Sequence, residues 1–174
     1  MLRKYSEALN GRMTAAGVEG PSADVIEYAL KIIFNTVLIT ALSMLVGVIT
    51  GEPGKTVAVL VGFALLRFVT GGYHIKGAFA CIAVSTVVMS VIPHISLPQG
   101  WTYGLTAAAF LLVAVFAPAN YDKYAWATEK HYPLLKCIGL AIVASNFLFV
   151  SETLALTYII QAGLLPFREG GEEQ

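Results

Sequence analysis

Five residues within one short stretch, RFVTGGYHIKGAFAC (residues 67–81), have side chains or backbone freedom that could do chemistry: Arg67, Gly71, Gly72, His74 and Cys81. A thiol attacks an amide only as the thiolate. A nearby imidazole can take its proton and later protonate the leaving amine. His74 and Cys81 are seven residues apart. On an unbroken helix they share a face but sit roughly 10 Å apart along the axis, at about 1.5 Å per residue. A dyad therefore requires a bend between or just before them. Gly71, Gly72 and Gly77 supply the freedom for one. Cys81 then falls in the first turns of the next helix, where the positive helix end favours a thiolate. Arg67 could hold a substrate carboxylate or a developing oxyanion. The same residues also have plain readings: a packing cysteine, an interfacial histidine, a snorkelling arginine and a glycine turn. The residue types alone leave both readings open.

The elements that must position this stretch are membrane helices. Of 174 residues, 57% are hydrophobic and 13% charged, against about 25% charged in soluble domains. The mean hydropathy is +0.73. The formal net charge is zero, which argues against a nucleic-acid partner. The two cysteines, Cys81 and Cys137, show no metal-type spacing with histidines, and no cofactor is expected. No cleavable leader is expected either, because the first long apolar run starts near Ile32, after mostly polar residues.

Residues 1–21 form an N-terminal segment in which Leu2, Tyr5, Leu9 and Met13 recur at helical spacing, as in an interfacial amphipathic helix. Residues 22–167 form a single transmembrane domain, and 168–174 a cytoplasmic tail. Ser22 or Asp24 caps a helix running to about Thr50. Further apolar runs cover Thr56–Val69, Ala78–Ile92, Trp101–Ala117, Leu134–Val150 and Thr153–Phe167. Several are short for a bilayer core that needs about 20 residues. The fold class is thus an all-α polytopic membrane helix bundle of about six transmembrane or partly re-entrant helices. With some runs partly re-entrant and the last two able to merge into one bent helix, the range is four to six.

Six spans sort the basic residues. Arg3, Lys4, Arg12, Lys31, Arg67, Lys76, Lys123, Lys130, Lys136 and Arg168 fall on one side, leaving only Lys55 of the 11 Lys and Arg on the other. The positive-inside rule makes the basic side cytoplasmic, together with both termini and the His74–Cys81 stretch. A second pair, His131 and Cys137, has Pro133 between its members and no glycines, and reads as a loop histidine and a packing cysteine. His94 and Glu152 fall on the outer side. Asp122 and Glu129 share the side of His74 and are candidates to orient it, or simply solvated loop residues. Asn35 and Asn146 are expected to bond between helices.

The pattern Arg67-x3-Gly71-Gly72-x-His74-x6-Cys81 between two apolar spans resembles the accessory gene regulator protein B family of bacterial membrane cysteine peptidases. The likeness extends to the amphipathic start and the six-span plan. It implies an endopeptidase that cleaves a quorum-sensing signal propeptide through a thioester on Cys81. Attack by a propeptide side chain then closes a thiolactone or lactone ring. His74 is implied as general base and acid, and Arg67, Gly71 and Gly72 as supporting positions. A homodimer in the bacterial cell membrane, and a propeptide with its own amphipathic membrane-bound helix, are implied as well. The loop APANYDKYAWATEKHYP matches the family pattern only loosely. The alternative is a small non-enzymatic membrane transporter or channel, such as a peptide exporter. A structural partner of a sensor kinase is a third reading.

Overall fold

The computed structural model describes residues 2–18, 20–73, 75, 77–120 and 129–167. The described residues form seven α-helices and no strand: α1 (Leu2–Ala15), α2 (Ala23–Ile49), α3 (Pro53–Thr70), α4 (Ala78–Val91), α5 (Gln99–Phe116), α6 (Tyr132–Phe149) and α7 (Glu152–Gly163). The chain is an all-α membrane bundle. Four helices are long and apolar enough to cross a bilayer: α2, α3, α5, and α6 with the 3-10 turn Glu129–His131 before it. The other two apolar runs form shorter helices. α4 gains a 3-10 turn at Ile92–His94, where Pro93 interrupts it. α7 has 12 residues, or about 18 Å of helix, which is less than a bilayer core.

Local chemistry sets the helix ends. The Ser22 hydroxyl accepts from the Val25 amide at the start of α2, as an N-cap should. At the α2–α3 hairpin Gly51 turns with φ 78°, and the Thr56 hydroxyl donates to the Glu52 carbonyl. A Cβ on Gly47 would collide with the Thr56 side chain, so a glycine there lets the two helices close, a common device where helices pack in lipid.

α1 packs beside the start of α2 through polar contacts. Arg3 pairs with Glu7 at 2.9 Å and with Asp24 at 2.6 Å, and Asn10 donates to the Pro21 carbonyl. The side of α1 turned inward centres on Ser6, which is buried, while Tyr5 and Leu9 are exposed. Tyr5 and Leu9 of the apolar stripe thus face away from the bundle, as an interfacial helix needs to reach lipid, while Leu2 and Met13 are half-buried.

α7 is the innermost helix. It packs chiefly on α5 and α3, and Thr153, Ala155, Thr157, Tyr158, Gln161 and Ala162 are all buried. The main core joins its Tyr158 and Ala162 to Leu66 and Val69 of α3, Ala109 and Val113 of α5, and Leu135 and Val143 of α6. Small side chains on α7 let three helices approach it. Gly139 of α6 does the same against Thr70, whose methyl would lie 2.8 Å from an added Cβ.

The last two runs do not merge. Val150 adopts a left-handed conformation (φ 51°). Asn146 closes the turn by accepting from the Ser151 amide at 3.0 Å and donating to the Ser151 carbonyl at 3.0 Å. Its amide also donates to the Thr106 hydroxyl of α5 at 2.9 Å. Asn146 thus bonds between helices as expected, whereas Asn35, half-buried on α2, makes no such bond among the described residues. Asn146→Leu leaves the half-buried Ser151 amide without its acceptor and removes the bond to Thr106, and is expected to cost about 1–3 kcal/mol. Asn35→Leu is expected to change stability by less than about 0.5 kcal/mol. Thermal unfolding of both variants in detergent checks the difference.

Candidate functional site

The described residues between α3 and α4 (71–73, 75 and 77) are not helical. α3 ends at Thr70 and α4 begins at Ala78. Gly71, Gly72 and Gly77 all have positive φ, at 69°, 122° and 92°, a region that side chains with a Cβ avoid. The bend that the dyad requires is therefore present, and its position follows the glycines.

The loop backbone is fixed on both sides. The Gly72 amide donates to the Ala119 carbonyl at 3.0 Å, and the Ala119 amide donates to the Thr70 carbonyl at 2.9 Å. Together they make a parallel bridge between Gly71 and Ala119. The Tyr73 amide donates to the Leu164 carbonyl just beyond α7 at 3.0 Å. The Tyr73 and Phe167 rings meet with centroids 6.2 Å apart. The ends of α3, α5 and α7 thus converge on the loop.

Arg67 lies in the last turn of α3. Its Nη2 donates to the Gly72 carbonyl at 3.2 Å and the Tyr73 carbonyl at 2.9 Å, and its Nη1 to Gln161 Oε1 at 3.4 Å. Gln161 is fully buried. Its Nε2 donates to the Gly71 carbonyl at 2.7 Å and the Thr70 hydroxyl at 3.4 Å. A guanidinium near a span end needs such acceptors, because an unsatisfied cation there is costly. Carbonyls left over where a helix stops need donors for the same reason.

Cys81 sits in the first turn of α4, with its amide bonded to the Gly77 carbonyl at 3.0 Å. It is 6% exposed, and neither cysteine is in a disulfide. His74, Lys76 and Asp122 lie outside the described residues. Cys137 is exposed on α6 and not packed as expected, because its side of that helix looks outward. His94 is at the far end of α4 from Cys81. Glu152 accepts from the Leu97 amide at 2.7 Å, also at the end of the bundle away from the glycine loop. An open cavity of about 520 Å³ there is lined by Lys55, Gln99 and Glu152 among others, and none of its residues belongs to the loop. No group of metal-binding residues occurs among the described residues.

Sequence reading missed Gln161. The signal available was a polar stripe at spacing four, Thr153, Thr157 and Gln161, along an otherwise apolar run, which marks one face of a helix turned toward protein rather than lipid. All three are buried.

A family model for Accessory gene regulator B matches residues 10–166. That interval holds the loop, Cys81 and every helix from α2 to α7. The chain belongs to the Accessory gene regulator B family. It is 26% identical over 150 residues to the Accessory gene regulator protein B of Staphylococcus carnosus (strain TM300), covering 80% of this chain and 75% of that protein. It is 23% identical over 175 residues to a putative AgrB-like protein of Halalkalibacterium halodurans (strain ATCC BAA-125 / DSM 18197 / FERM 7344 / JCM 9153 / C-125), covering 95% of this chain and 87% of that protein. No solved structure matches. The coarse role is that of a membrane component of an accessory gene regulator system, as the family resemblance of the Arg67–Cys81 pattern implied.

Within this Accessory gene regulator B fold, Gly72 tests the loop directly. A Cβ there would meet Arg67 Nη1 and Gln161 Nε2 at 3.4 Å, and its φ of 122° is strained for any side chain. Gly72→Ala is expected to cost about 1–3 kcal/mol. Gly100→Ala, where nothing lies within 4 Å, is expected to be neutral or slightly stabilising, since alanine is the better helix former. Paired melting curves in detergent check this.

Proposed function

We propose that the chain is a membrane-embedded cysteine endopeptidase that matures a quorum-sensing propeptide and promotes its cyclisation. The observation that carries the reading is the glycine break between α3 and α4. It sets Cys81 in the first turn of a helix immediately after the segment that contains His74, in a chain of the Accessory gene regulator B family.

In this reading His74 takes the proton of the Cys81 thiol, and the thiolate attacks a propeptide carbonyl. The tetrahedral intermediate collapses to a thioester on Cys81. The C–N bond breaks, and the C-terminal portion leaves as an amine that receives its proton from the imidazolium. A thiol or hydroxyl within the bound propeptide then attacks the thioester, closes the ring and returns the Cys81 thiol. When the attacking group is a thiol the exchange is nearly isoenergetic, so little of the energy of the cleaved bond is lost. Arg67 serves by holding the loop, since two of its nitrogens already bond the Gly72 and Tyr73 carbonyls and Gln161. Gly71 and Gly72 serve by allowing the turn. Placement of ten basic residues on one side of six spans supports a cytoplasmic site, where a newly made propeptide is available. A propeptide with an amphipathic helix would approach along the same membrane surface, and a homodimer is the assembly proposed.

Cys81→Ala and His74→Ala are each expected to abolish propeptide cleavage while the protein remains inserted in the membrane. Immunoblotting of a tagged propeptide in cells reads this, and normal cleavage by Cys81→Ala sinks the proposal in favour of a transporter or a structural role. The orientation has its own test, in a background lacking Cys81 and Cys137. A membrane-impermeant maleimide is expected to label Lys55→Cys in intact cells and Lys123→Cys only after lysis. The reverse pattern would invert the topology.

A further inference from the structure

We propose that Gln161, near the end of α7, is a positioning residue for this reaction: it fixes the backbone of residues 71–73, to which His74 is joined in the chain. The inference rests on the peptidase reading above. Three successive carbonyls of the loop are each held by a side-chain donor. Gln161 Nε2 holds that of Gly71 at 2.7 Å, and Arg67 Nη2 holds those of Gly72 at 3.2 Å and Tyr73 at 2.9 Å. The three matching amides are held as well, by the carbonyls of Arg67, Ala119 and Leu164. Every peptide group of residues 71–73 is therefore bonded, and the next residue in the chain is His74.

Gln161 has a part in this that no other side chain on α7 takes. Its amide presents a donor and an acceptor at once. The donor meets the loop, and the acceptor meets Arg67, so one side chain couples the loop to the arginine that holds its other two carbonyls. The burial also points to a dedicated role. Gln161 is 0% exposed, and a buried amide is tolerated only when its polar atoms are bonded. Besides its bonds to Arg67 and Thr70 of the neighbouring α3, Gln161 reaches past the end of that helix to a main-chain carbonyl at the start of the glycine loop. The closest control is Thr157, one turn earlier on the same face. It is equally buried, but its hydroxyl bonds back to the Thr153 carbonyl and not to the loop.

The experiment uses the full chain in nanodiscs. The substrate is a synthetic propeptide from the neighbouring open reading frame, with an amphipathic start, a central cysteine and an acidic end. Gln161→Met keeps length and removes its three bonds, to Arg67, Thr70 and Gly71. It is expected to lower kcat about 10- to 100-fold, the scale of a misplacement of about 1 Å, while KM changes less than about threefold. Hydrogen exchange of the peptide containing Gly72 and Tyr73 is expected to speed up at least about tenfold as their amides are released. Thr157→Val is expected to lower melting temperature without moving kcat or that exchange. If Gln161→Met does not accumulate, Gln161→Glu carries the same readouts, since it keeps an oxygen for Arg67 and loses the donor to Gly71. A wild-type kcat in the Gln161 variant, or equal losses in Thr157→Val, overturns the role. Cys81→Ala in the same assay separates the two ideas. Cleavage by Cys81→Ala refutes the peptidase reading. An inactive Cys81→Ala beside a fully active Gln161 variant refutes only the role of Gln161.

Discussion

Polar groups at the end of a membrane helix must find partners within the protein, and this constraint organises the bundle around the glycine loop. Beyond the end of α3 the carbonyls of Gly71, Gly72 and Tyr73 have no helical donors, and the lipid offers none. Arg67 brings a cation to the same place. Neither is stable there alone. Placed together, with Gln161 between them, the guanidinium and the carbonyls satisfy one another. Opening the loop would expose both sets at once, so the non-helical backbone of residues 71–73 can still be held.

The same constraint accounts for α7. A helix of 12 residues whose buried face carries Thr153, Thr157 and Gln161 is poorly suited to face lipid. Enclosed by α3, α5 and α6, it presents polar atoms where they are needed, and its small residues let the larger helices close around it. At its other end Glu152 accepts from the Leu97 amide and Asn146 fastens the turn from α6. α7 thus ties two turns to one rod, and its loop end is the one beside the family motif.

Much of the architecture was legible from hydropathy and turn residues. Gly51, Pro93 and the glycines at 71, 72 and 77 mark breaks because their backbone chemistry forbids or disfavours a continuing helix, whatever surrounds them. Ser22 marks the start of α2 for an equally local reason. Side-chain orientation was less legible. The apolar stripe of α1 was readable, but not that its Tyr5 and Leu9 turn outward while Ser6 packs inward. Cys137 looked like a packing residue, yet it is exposed, because an apolar helix in lipid has no polar face to show which side is outside.

The sequence by itself determined that this is a helical membrane protein, that its helix breaks before Cys81, and that Arg67, the glycines, His74 and Cys81 form one motif of a known family. The first two follow from composition and backbone limits, which act over a few residues; the third rests on the family resemblance. Only the tertiary structure decided what Arg67 bonds to, and that the loop is held by Gln161, Ala119 and Leu164. Those partners lie as far as 94 residues away in sequence. A hydrogen bond requires its atoms to meet within about 3 Å, and spacing along a chain does not encode that once the helices have to pack.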